Sequence, residues 1–97
     1  MKPADALAAN RVAIREVVAA HHAGNPRVFG SVLLDEDTDG SDLDLLVDPT
    51  PETTLFDIGA IQHRIRTSCL GVSVDVLTPN ALPDSIRDRV LAEARPV

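Results

Sequence analysis

Residues 42–47 read Asp-Leu-Asp-Leu-Leu-Val, and this short run constrains the fold more than any other part of the chain. Acid and aliphatic residues alternate before an all-apolar end, a period-two pattern that suits a β-strand. Successive side chains of a strand point to opposite faces, so Asp42 and Asp44 share one, where it meets solvent or a ligand. The run Val72-Ser73-Val74-Asp75-Val76-Leu77 alternates likewise and sets Asp75 on the face away from its three valines. A third run, Pro26-Arg27-Val28-Phe29, leads into Gly30-Ser31 and reads as a buried strand entering a tight turn.

Helical patterns separate these strands. From Pro3 to His22, the residues Leu7, Ile14, Val17, Val18 and His21 fall on one side of a helix, with Pro3 in its first turn and Gly24 as its stop. Leu55, Ile58, Ile61, Gln62, Ile65 and Cys69 repeat at helical spacing until Gly71, after threonines able to cap them. A last helix is expected from about Pro83 to Ala94, with Ile86, Val90 and Leu91 inward. Asp35 to Ser41 is acidic, contains Gly40 and reads as a surface loop. The order helix, strand, strand, helix, strand, helix predicts an α/β (α+β) chain, a small sheet with helices packed on it. At 97 residues there is room for one core, so residues 1–97 are expected to form a single domain, and a large acceptor must be held by another chain.

Charge and composition narrow the function. A formal charge of −6 and an aromatic set of only two phenylalanines argue against direct nucleic-acid binding, which needs a cationic surface or stacking platforms. Cys69 has no partner for a disulfide or a zinc site and reads as a small buried hydrophobe. Charges begin close to the N-terminus, so neither a signal peptide nor a membrane span is expected and the chain is placed in the cytoplasm. Asp35, Asp37, Asp39 and Gly40 match the start of a calcium-binding EF-hand loop, but Leu46 stands where the bidentate glutamate belongs. His21, His22 and His63 have no metal spacing, and Arg64 and Arg66 read as solvated.

The aspartates carry the chemistry. Two carboxylates two residues apart on one strand, joined by Asp75 from another, repel by about 4 kcal/mol per pair at ~4 Å and an effective dielectric of ~20. A bound cation relieves this, and hard oxygen donors favour Mg²⁺, which completes its shell with water and phosphate oxygens. Gly30 lets backbone approach a phosphate and the Ser31 hydroxyl can donate to it. Ten residues separate Ser31 from Asp42, giving G-S-x10-D-x-D.

At Phe29-Gly30-Ser31, at Ser41 to Val47, and at Val74-Asp75-Val76 with Thr78-Pro79, the chain resembles the minimal nucleotidyltransferases of the polymerase-beta-like superfamily, over nearly its whole length. The resemblance implies a polymerase-beta-like nucleotidyltransferase core, a small mixed sheet flanked by helices. It implies ATP and Mg²⁺, with transfer of AMP to a protein hydroxyl. Carried onto matching positions, Asp42, Asp44 and Asp75 are the catalytic and metal-binding residues and Gly30 and Ser31 hold the triphosphate. Minimal members often pair with a HEPN-domain toxin, so the resemblance implies an antitoxin. One departure stands out: Val32-Leu33-Leu34-Asp35 replaces the usual basic residues and second glycine. That departure points to reduced activity, or to a protein of this fold that neutralises its partner by binding alone.

Overall fold

A computed structural model describes residues 2–69 and 71–97. It contains helix α1 (Pro3–Ala20), strands β1 (Ala23–Phe29) and β2 (Leu43–Pro49), helix α2 (Leu55–Ser68), strand β3 (Val74–Leu77), a 3-10 turn (Pro79–Ala81), helix α3 (Asp84–Glu93) and strand β4 (Arg95–Pro96). The sheet order is β3-β2-β1-β4; β2 runs antiparallel to β1 and parallel to β3, and α2 makes the crossover that a parallel pair requires. The expected small mixed sheet with flanking helices is therefore what the chain forms.

The two faces of the sheet are unequal. Val28, Leu43, Leu45, Val47, Val74 and Val76 pack against Leu7, Ile14, Val17 and Val18 of α1 and Ile61 and Ile65 of α2, in the main core. On the opposite face Phe29 and Leu46 meet Leu82 and Val90, with Leu77, Ile86 and Ala94 at the margin. This smaller cluster covers only part of its face, which leaves the neighbouring positions of β2 and β3 for polar side chains.

Several expectations need correction. Helix α1 ends before Gly24: His22 takes the left-handed turn at φ 62°, and Gly24 lies inside β1, opposite Asp48. A bulge between Gly24 and Arg27 places Asn25 at φ 48°, and both Asn25 and Arg27 bond Asp48 of β2. The stripe of α2 does not bury Leu55, which is 90 % exposed. Leu91 also faces outward, since the buried side of α3 follows Ile86, Val90 and Ala94. Strand β4 was not expected; it pairs with β1 at Arg27 and Val28, and Arg15 of α1 donates to the Val97 carbonyl at 3.0 Å.

The segment between β1 and β2 is tied down rather than merely solvated. Lys2 gives α1 no side-chain cap, and the buried Asp37 supplies one from across the molecule, accepting a hydrogen bond from the Ala4 N–H at 3.0 Å. A carboxylate suits that end of a helix, where backbone N–H groups lack partners and the dipole is positive. Helix α2 is capped locally by Thr54 and Asp57, in a reciprocal capping box. His21 and His22 each bring Nδ1 to 3.5 Å from an Asp57 oxygen, which joins the end of α1 to the start of α2.

Candidate active site

Backbone pairing lines up the predicted positions. Phe29, the last residue of β1, stands opposite Asp44, and Asp44 stands beside Asp75 on β3. The carboxylates therefore share the face that carries the smaller apolar cluster. Gly30 follows Phe29 directly, at φ 78°. A Cβ there would force the Asp44 carboxylate to move aside, and the positive φ itself favours glycine.

Asp44 is the electrostatic centre. Its pKa is pushed up to about 6, first by burial, then by the charge of Asp75, then by that of Asp42. Both neighbouring carboxylates thus act on Asp44, although Asp42 is exposed at the mouth of the strand. They do not close around one point: among the described residues no group of three or more His, Cys, Asp or Glu side chains is arranged to hold a metal ion.

The turn after Gly30 explains the apolar departure there. Leu34 N–H donates to the Gly30 carbonyl at 3.2 Å and Glu36 N–H to that of Ser31 at 2.9 Å, closing a wide turn with Asp35 at φ 57°. Val32 packs against the main core, while Leu33 and Leu34 wall a cavity of about 370 Å³ with Phe29, Ile86 and Val90, opening beside Gly30. Arg89 and Glu93 of α3 also line that cavity, and Leu34 is 59% exposed.

No protein-family model matches the sequence. Among curated proteins, the "Putative protein adenylyltransferase" of Methanocaldococcus jannaschii is 32% identical over 78 residues, covering 80% of this chain and 83% of that protein. A solved structure described as a "putative minimal nucleotidyltransferase" superposes with a TM-score of 0.84 and 37% identity, over 97% of this chain and 95% of that one. This chain belongs to the minimal nucleotidyltransferase family. Its sheet and helices are those of the nucleotidyltransferase fold.

The donors of this nucleotidyltransferase fit a divalent cation with a phosphate ligand. Asp42 and Asp44 offer hard oxygens from one strand face, and Mg²⁺ characteristically takes one or two carboxylates and leaves the rest of its shell to water and phosphate. Gly30 lies directly against the Asp44 carboxylate, and glycine lets backbone approach a bound phosphate closely.

Sequence reasoning passed over one neighbour. Arg66 of α2 donates from Nε to the Val74 carbonyl at 2.9 Å and brings Nη2 to 3.6 Å from Oδ1 of Asp75. One turn earlier Gln62 accepts from the Val76 N–H at 2.9 Å. Strand β3 is an outer strand, and these two side chains, four residues apart on one helix face, meet the backbone groups along its open side. That spacing, in a helix leading directly into the strand, was the available signal.

Proposed function

We propose that this nucleotidyltransferase moves AMP from ATP to a hydroxyl of a partner protein and serves as the antitoxin to a HEPN-domain toxin in the cytoplasm. The observation that carries the reading is Asp44, flanked by Asp42 and Asp75 and lying against Gly30. The name of the Methanocaldococcus relative supports protein as the acceptor.

Asp42 and Asp44 would hold Mg²⁺, with Asp75 close by, and Gly30 and Ser31 would bind the β- and γ-phosphates. When bound, the metal neutralises charge on the phosphate oxygens and stabilises the leaving pyrophosphate. The acceptor oxygen attacks the α-phosphorus in line, a new P–O bond forms, and the bond to the bridging oxygen breaks with its electron pair leaving on pyrophosphate. Asp75 takes the hydroxyl proton and passes it to solvent.

Calorimetric titration with ATP, with and without Mg²⁺, tests the site; binding should require the metal and vanish in an Asp42→Ala, Asp44→Ala double variant. Incubation with the toxin should then add about 329 Da per event, the mass of AMP less water. A second reading is favoured by the apolar turn at residues 32–34: the chain neutralises its partner by contact, and transfer is weak or absent. Neutralisation of the toxin without ATP or mass gain would select it.

A further inference from the structure

We propose that Arg66 is a positioning residue that holds the Asp75 carboxylate on the acceptor side of the site; the inference rests on the nucleotidyl-transfer reading above. In-line displacement places the entering oxygen opposite the leaving group. With pyrophosphate held at Gly30 and Ser31, beyond the end of β1, and the α-phosphorus near Asp44 on β2, the hydroxyl approaches from β3. Arg66 lies on that side.

Its guanidinium is planar and rigid. Nε is fixed to the backbone carbonyl of Val74 and Nη2 reaches the side chain of the next residue, so the group acts as a splint between main chain and Asp75. The splint has a specific load. Asp44 and Asp75 are neighbours in register and repel, and an Asp75 side chain free to rotate would turn away from the reacting centre. Pairing Oδ1 with Arg66 limits that rotation and leaves Oδ2 as the oxygen that takes the acceptor proton.

A purely structural role is the competing explanation, because Gln62 meets the same strand edge at Val76. The ion pair is about half exposed on both sides, at 48% and 47%, and pairs of that kind contribute little to stability. Edge protection alone therefore predicts no selective effect on turnover.

The test uses the full chain with Mg²⁺, labelled ATP and a tyrosine-bearing peptide as the hydroxyl probe. Arg66→Met should lower kcat roughly 10- to 100-fold, the range for groups that orient a working residue, with KM for ATP changed less than about twofold. Arg66→Lys should recover part of the loss, and Arg66→Met should cost nothing further in an Asp75→Asn background. Activity within about twofold of wild type, a matching loss of ATP binding, or multiplicative losses in the double variant would each overturn the proposal.

An arm without acceptor separates it from the functional reading. In NMR spectra of the free chain the Arg66 Nε–H should be ordered and exchange-protected, and Asp75→Asn should loosen it. A signal as mobile as those of solvated arginines overturns the proposal whatever the activity. An ordered signal in a wild-type chain that transfers nothing overturns adenylyl transfer itself.

Discussion

Asp44 works against the fold that carries it. A carboxyl whose pKa stands near 6 in the folded chain, above its unfolded value, binds its proton more tightly in the fold. Its contribution is present at low pH and is lost as pH rises from the ordinary carboxylate range through about 6. With solvent screening allowed for, the loss is about 1–2 kcal/mol. Denaturant unfolding of the metal-free chain should therefore show Asp44→Asn more stable than wild type by that amount at pH 7.5. The two should be nearly equal only below the unfolded carboxylate range, at about pH 3, and the variant should transfer no AMP. An Asn variant less stable than wild type at pH 7.5 would mean that Asp44 has a stabilising partner. That Asp44 and Asp75 each point away from the main core was legible from alternation within their own strands; that they stand side by side follows from the register of β2 and β3. Arg66 was not, because its partners are a carbonyl and a carboxylate reached only once α2 lies along β3.

At the scale of elements, the informative case is the cap on α1. Asp37→Ala should destabilise the chain by about 1 kcal/mol, as loss of a helix cap does, lowering Tm by about 4–8 °C for a domain of this size. Glu36→Ala, next to it and exposed, should leave Tm nearly unchanged; equal effects would remove the cap from the account. Helices α1 and α2 were legible from periodicity, and so were the cores of β1, β2 and β3. Their ends depended on residues far away in sequence. Gly24 looked like a stop, yet pairing with Asp48 drew it into a strand and left His22 to turn the chain. Strand β4 spans Arg95 and Pro96, too short to show alternation, and exists through its pairing with β1.

Over the whole molecule, apolar surface is distributed unevenly. Leu55 and Phe56, adjacent at the start of α2, are each 90 % exposed. Replacing both with serine should change unfolding free energy by no more than about 0.5 kcal/mol, as for surface positions generally; a larger loss would show that they are covered in solution. Among the described residues no helix is long and apolar enough to cross a membrane. The unequal faces of the sheet have a further consequence. Phe29, Asp44 and Asp75 are aligned by register across three strands, and strand spacing is about 4.8 Å. Under the proposed function the sheet serves as a ruler laid across the reaction, its graduations set by main-chain hydrogen bonds. Side chains in either core can be exchanged without altering the separation between departing and arriving groups, whereas a one-residue slip of β3 would turn Asp75 away and put a valine at its mark.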